Sequence, residues 1–285
     1  MVRGLWGVLQ RLLVLGVVCL LASGCVQNVF YQPDRVVYDA PHHAGLAYER
    51  VAFASRDGTR LMNWFIPAAT APDARQAKGT VVHFHGNAQN MSSHWQFVGW
   101  LARRGYNVFV FDYRGYGDSA GHAELQGVYA DSHSALDYVR SRADVDPTRL
   151  LVLGQSLGGT NAIAVVGSGN RAGVRAMAIE ATFSSYSAIA SEKVPGTGWL
   201  MSDAYSAARH VGQLAPIPLL LIHGTADAVV PYHHSQRLLE AAQTPKTLLT
   251  VEGGAHLDAF TPRFGTRYQA ALLDFFDAAL RTPDP

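Results

Sequence analysis

Cysteine is almost missing from this chain. Of 285 residues only Cys19 and Cys25 are cysteines, so everything after position 25 lacks a thiol and with it any disulfide framework. Charge is also sparse. Charged residues make up 16%, the net charge is +1 and no long run of either sign occurs, which removes electrostatic attachment to nucleic acid or to acidic lipid head groups. No apolar run reaches the roughly 20 residues that a spanning helix needs. No internal repeat or low-complexity stretch interrupts the sequence. What remains, 48% hydrophobic with 27 Gly and 13 Pro, is the composition of an ordinary globular protein with a substantial core.

The N-terminus departs from that average. MVRGLWGVLQR carries only Arg3 and Arg11 as charges, the apolar run LLVLGVVCLLA follows at 12–22, and SGC closes the stretch at 23–25. A charged start, a short apolar stretch and small residues before a cleavage point describe an export signal; a simple N-terminal membrane anchor is the alternative. LASGC resembles the lipobox of bacterial lipoproteins, with Ala22 where Leu is commonest. The resemblance implies cleavage after residue 24 and a lipid on Cys25, which also accounts for an unpaired cysteine in an exported protein. Val26, rather than Asp, follows the cysteine, and in the lipoproteins this resembles that favours the outer over the inner membrane. The expected organisation is a signal at 1–24, a tether at 25–47 and one domain at 48–285, lipid-anchored in a bacterial cell envelope.

Within that domain, YERVAFASRDGTRLMNWFI at 48–66 reads as two alternating strands joined at a hairpin turn. Short apolar runs then predict strands at 80–85, 107–112, 149–154, 174–180, 218–224 and 247–253. Helical patterns fall between or after them at 91–104, 123–142, 156–168, 232–242 and 264–281. Continuous apolar strands alternating with helices predict an α/β fold, a mostly parallel sheet of about eight strands covered on both faces. The connection at 181–216 is longer than such folds need and holds KVPGTGWLMSDAYS, which predicts a small cap.

Two stretches read G-x-S-x-G: GDSAG at 117–121 and GQSLG at 154–158. A hydrolytic serine of this pattern must project from a tight turn between a parallel strand and the next helix. Ser156 has that context, since RLLVLG leads into it and LGGTNAIAVV continues as a helix. Ser119 does not: YRGYG separates it from the preceding strand, and it reads as a loop residue. A serine needs a base and an acid, which in this topology follow in the order acid, then histidine. Asp227, in LLLIHGTADAVVP, ends an apolar strand at the same sheet edge, with Glu180 as the alternative acid. His256, in VEGGAHLD, follows the last strand and is the candidate base among 12 histidines; His233 and His234 read as surface or structural residues. Backbone N–H donors for an oxyanion fall to Leu157, after the nucleophile, and to Asn87 in HGNAQN, with His85 and Gly86 shaping the turn. His83 and His85 lack a third ligand at metal-binding spacing, so no metal and no cofactor is expected.

FHGNAQN, FDYRGYGDSAG, LGQSLGG, HGTADAVVP and GGAHLD, in that order over about 80–260, resemble the α/β-hydrolase superfamily. The HGN and DYRGYG forms are most similar to its serine aminopeptidase-like and monoglyceride-lipase-like branch, where DYRGYG is a structural loop. The resemblance implies the same catalytic set, Ser156, Asp227 and His256, with Asn87 and Leu157 at the oxyanion. The expected activity is hydrolysis of small-molecule carboxylic esters or thioesters, with apolar acyl groups favoured, through an acyl-serine intermediate. Two alternatives stand beside it: an aminopeptidase-like enzyme, for which only Glu192 and Asp203 in the cap could bind a free amine, and a non-catalytic envelope lipoprotein. Oligomeric state is not legible.

Overall fold

The alternating pair and the apolar runs become strands of one eight-stranded sheet in the computed structural model, which describes residues 30–282. In chain order these are β1 (Glu49–Ala54), β2 (Arg60–Ile66), β3 (Thr80–Phe84), β4 (Asn107–Phe111), β5 (Leu150–Gln155), β6 (Val174–Glu180), β7 (Leu219–Gly224) and β8 (Lys246–Val251). They lie side by side as β1-β2-β4-β3-β5-β6-β7-β8. The β1–β2 and β2–β4 pairings are antiparallel, and the rest are parallel. The helices are α1 (Met91–His94), α2 (Leu125–Ser141), α3 (Leu157–Gly167), α4 (Tyr186–Lys193), α5 (Ala207–His210), α6 (His233–Ala241) and α7 (Arg267–Arg281).

Successive residues of a strand point to opposite faces, and here both faces are buried. Val82, Phe109, Val152 and Met177 join a core shared with Leu136 of α2 and Ile163 of α3. Their neighbours Val81, Val108, Leu151 and Ala176 join a second core with Leu272 and Phe276 of α7. That is why these strands read as unbroken apolar runs. Helix α3 is buried along its whole length, so it shows no polar stripe.

The strand order sets the position of the site. β3 continues to β4 on one side and its neighbour β5 continues to β6 on the other, so the connections leaving these two adjacent strands diverge. In an open parallel sheet such a switch point leaves a crevice at the C-terminal strand ends. Residues 85–90, after β3, and Ser156, after β5, both emerge there.

Two segments differ from the sequence reading. The single helix expected at 91–104 is one turn of α-helix followed by 3-10 turns at Trp95–Phe97 and Gly99–Arg104. Val98 leaves helical geometry at φ −125°, and Gly99 lies against the Trp95 ring, where a side chain would clash. The expected tether is packed from Phe30 onward: Tyr31, Ala40 and Leu46 are buried, and Gln32–Pro33 pairs in parallel with Ala88–Gln89. Its apolar residues follow no period of 2 or 3.6, so periodicity could not reveal them. The segment 1–24 and Cys25 lie outside the described residues. Among the described residues no helix is long and apolar enough to cross a membrane.

Candidate active site

β5 runs straight into a strained turn. Ser156 sits at φ 53°, ψ −122°, a conformation that residues with a side chain rarely adopt and that persists only when its surroundings hold it. Those surroundings are two hydrogen bonds: Ser156 N donates to Glu180 O (2.9 Å), and Thr182 Oγ1 donates to Ser156 O (2.8 Å). Helix α3 begins at the next residue, Leu157, whose N–H has no intrahelical acceptor. The helix can start this close to β3 because residue 158 is glycine. A Cβ there would run into the carbonyl oxygens of Phe84 and His85.

Asp227 and His256 come together beside this turn. His256 Nδ1–H donates to Asp227 Oδ2 (2.8 Å), which leaves Nε2 as the ring's free basic atom. Asp227 is itself clamped, because Val229 N and Val230 N donate to its Oδ1 (2.8 and 2.9 Å). Buried His223 stands 3.3 Å from Oδ2 through the Nε2–H that it donates to Val230 O. Burial alone would raise the Asp227 pKa. Hydrogen bonds from His223 and His256, the His256 charge and the Val230 N–H outweigh it and hold the carboxyl well below the ordinary carboxylate range. The group therefore stays ionised at neutral pH and fixes the His256 tautomer. Leu257, at φ 56°, bends the chain just after the histidine. No hydrogen bond joins His256 to the Ser156 hydroxyl among the described residues; such bonds often tighten only with substrate in place.

Asn87 is oriented by two anchors. Its own carbonyl accepts from Gln32 N (2.8 Å) and Tyr116 Oη (2.7 Å). The preceding peptide is held by His85 Nδ1–H, which donates to Gly86 O (2.8 Å). Because Gly86 O and Asn87 N–H belong to one trans peptide and point in opposite directions, the His85 bond also sets where the Asn87 N–H points. Asn87, Ser156 and Leu157 line one cavity of ≈ 480 Å³. Its other walls are mostly apolar: Phe30, Phe183, Ile189, Val194, Val229 and Val230. Ile189 comes from the cap helix α4, so the 181–216 connection roofs the crevice. No carboxylate lines it among the described residues.

Residues given secondary roles by the sequence also have definite places. Ser119 is buried and saturated: its Oγ donates to Asp112 O (2.8 Å) and accepts from Met62 N (2.9 Å). Glu180 does not touch His256. It accepts from Gln155 Nε2 (2.6 Å) and from Ala259 N (3.1 Å), and so ties the loop carrying His256 to the end of β6. Gln155 in turn accepts from His83 Nε2 (2.8 Å). Burial raises the Glu180 pKa to about 6, with those two hydrogen bonds opposing it. Glu192, His233 and His234 converge, their ligand atoms within 4.8 Å of one another. They do not suit a metal ion. His234 Nδ1 accepts from Ser184 N (3.0 Å), so its proton sits on Nε2, facing Glu192 Oε2 (3.1 Å), and the ring has no lone pair to spare. Burial also lowers the His234 pKa to about 4. The cluster, joined by Arg237, fastens the cap to α6. Position in the sequence gave no sign of the parts played by Thr182, His223 or Phe30.

A switch-point crevice, a serine strained at the strand–helix turn and a histidine–carboxylate pair on the same sheet edge define an α/β hydrolase. Within that class the chain belongs to the prolyl oligopeptidase family (peptidase S9), whose family model it matches over residues 91–282. It is 46% identical over 253 residues to the uncharacterized protein YfhR of Escherichia coli K12, covering 89% of this chain and 88% of that one. It is 32% identical over 238 residues to the alpha/beta hydrolase domain-containing protein WAV2 of Arabidopsis thaliana, covering 77% and 76%. Among solved structures it is similar in fold to the Pyrococcus furiosus esterase Pf2001, with TM-score 0.72 and 20% identity over 87% of this chain and 99% of that one.

Proposed function

We propose that the chain is a serine hydrolase, tethered to a bacterial cell envelope through a lipid on Cys25, that cleaves carboxylic esters or thioesters of apolar acyl groups. One observation carries the substrate class: Ser156 opens into a mainly apolar cavity whose lining includes no carboxylate among the described residues. Ser156 Oγ attacks the acyl carbon while His256 Nε2 takes its proton, and the Asn87 and Leu157 N–H groups receive the charge on the carbonyl oxygen. His256 then returns the proton to the leaving alcohol or thiol. Water, deprotonated by the same nitrogen, attacks the acyl-Ser156 ester and releases the acid and the free serine. Asp227 keeps the imidazole in the tautomer that this exchange requires.

Peptide hydrolysis is the second reading, and the family's description favours it. Against a free amine as the recognised group stand the two acidic residues of the cap. Glu192 is engaged by His233, His234 and Arg237, and Asp203 by Ser187 and Ser206. Both are occupied in fastening the cap. The fold neighbours described as esterases, including acetyl xylan esterase 1 of Thermoanaerobacterium, agree with the ester reading in fold alone.

The test is labelling of the folded protein by a fluorophosphonate, followed by a series of acyl esters and aminoacyl amides. Labelling should vanish in Ser156→Ala. With about 0.8 kcal/mol gained per buried methylene, kcat/KM should rise about fourfold per added carbon until the cavity is full. An unlabelled wild type, or a preference for aminoacyl amides over acyl esters, refutes this reading.

A further inference from the structure

The exposed large apolar side chains fall in two groups, one in the N-terminal segment beside a separate hollow and one in the cap and the Asp227 loop. Among the described residues the exposed large hydrophobics are Val36, Val37, Tyr38, Val194, Trp199 and Val229. The first three belong to the N-terminal segment. Val194, which follows α4, and Val229, in the Asp227 loop, both line the cavity, and the two segments meet where Lys193 Nζ donates to Ala228 O (3.0 Å). Trp199, 72% exposed, stands in the next turn of the cap. That turn is fixed by Thr197, whose N donates to Val194 O (3.2 Å) and whose Oγ1 donates to Ala190 O (3.0 Å).

The N-terminal segment leads to the same mouth. Phe30 lines the cavity beside Ser156, and its ring meets Tyr186 edge-on at 5.1 Å. Gln32, also in the lining, donates its N–H to Asn87 O. Upstream the sequence places Cys25 and, before it, the apolar run 12–22. From Cys25 to Phe30 the chain reaches at most roughly 17 Å. A lipid on Cys25 would therefore hold Phe30, and the cavity it lines, within roughly 17 Å of a bilayer.

We infer that the mouth of the cavity docks on a lipid bilayer. Val194, Trp199 and Val229 enter the boundary between head groups and acyl chains, and the substrate is an acyl ester or thioester held in that membrane. The inference rests on the proposed ester hydrolysis at Ser156. An exposed tryptophan on an apolar rim suits that boundary, because its ring is apolar and its N–H polar. An acyl chain then passes from bilayer to cavity without entering water.

The test uses the full chain in a Trp6→Phe background with vesicles of phosphatidylethanolamine and phosphatidylglycerol bearing brominated acyl chains. Trp199 should account for more than half of the fluorescence quenching, read as the difference between that protein and its Trp199→Phe variant. Trp199→Ser should lower hydrolysis of a long-chain acyl ester embedded in the vesicles at least fivefold and leave a water-soluble butyrate ester within twofold. Trp199→Phe should restore the vesicle activity. If the protein hydrolyses the soluble ester yet shows no Trp199 quenching and no loss in Trp199→Ser, the docking is wrong and the hydrolase reading survives. If neither ester is cleaved, it is the hydrolase reading that fails, while quenching still reports on docking. A change of native mass in Trp199→Ser shows that a second copy covers the rim and overturns the proposal.

Discussion

The two G-x-S-x-G stretches of this chain are alike in sequence and opposite in physics. Ser119 lies in a loop where its hydroxyl is fully engaged. Its hydroxyl bridges Met62 N and Asp112 O, and the Arg114 guanidinium nearby grips buried Asp131 with two hydrogen bonds (3.0 and 2.7 Å) besides one from its backbone N (2.8 Å). Ser156 has a strained backbone, no hydrogen-bond partner for its hydroxyl among the described residues, and a cavity in front of it. Ser119 has its hydroxyl satisfied, whereas Ser156 has its backbone held and its hydroxyl left facing the cavity. The motif does not distinguish the two.

Four substitutions break or sharpen that contrast. The largest effect belongs to Ser156→Ala, which should lower kcat on an acyl ester by about 10⁶-fold with an unchanged circular dichroism spectrum; activity within tenfold of wild type would move the nucleophile elsewhere. Asp227→Asn should lower kcat by about 10⁴-fold, because an amide at that position no longer selects the basic Nε2 of His256. Single-turnover acylation rates measure this directly.

Glu180→Gln comes next, at about tenfold in kcat with little change in KM, since it weakens the tie to Ala259 without touching substrate. This position also carries a pH signature. The folded Glu180 pKa lies at about 6, above its ordinary 4.5, so the folded protein holds this proton more tightly than the unfolded chain. The resulting stability is fully present below about 4.5, is lost as pH rises to about 6, and is flat above that. Urea midpoints of wild type and Glu180→Gln, measured from pH 4.5 to 7, should therefore differ by an amount that changes only within that window. A constant difference would show that Glu180 does not titrate there.

The smallest catalytic effect is expected at Ser119→Ala, which should leave kcat/KM within twofold. It leaves the buried Met62 N–H without an acceptor, which costs about 1–3 kcal/mol, so thermal denaturation should show Tm falling by a few degrees. A tenfold loss of activity without loss of stability would erase the difference between the two serines.

Much of this was legible before any coordinates. The strands from Thr80–Phe84 to Leu219–Gly224 are buried on both faces, and that is what made them unbroken apolar runs. The strand-to-helix setting of Ser156 could be read because the turn geometry requires a strand directly before the serine and small residues directly after it. The packing of residues 30–47 could not be read, since those residues bury irregularly spaced side chains against loops. The sequence preferred Asp227 to Glu180 as the acid, although both end apolar strands at the same sheet edge; the path of the 253–260 loop is what brings His256 to Asp227.

The sequence by itself determined the sheet, the order of Ser156, Asp227 and His256 along the chain, and the strand-to-helix setting that Ser156 has and Ser119 lacks. These follow from local pattern, because burial on two faces and a tight turn each constrain the residues at that place. The tertiary structure alone decided that the Phe30 segment, the cap helix and the Asp227 loop close around one cavity, and that Gln32 and Tyr116 anchor the Asn87 carbonyl. Those contacts join residues far apart in sequence, and no local preference of the chain specifies which distant surfaces will meet.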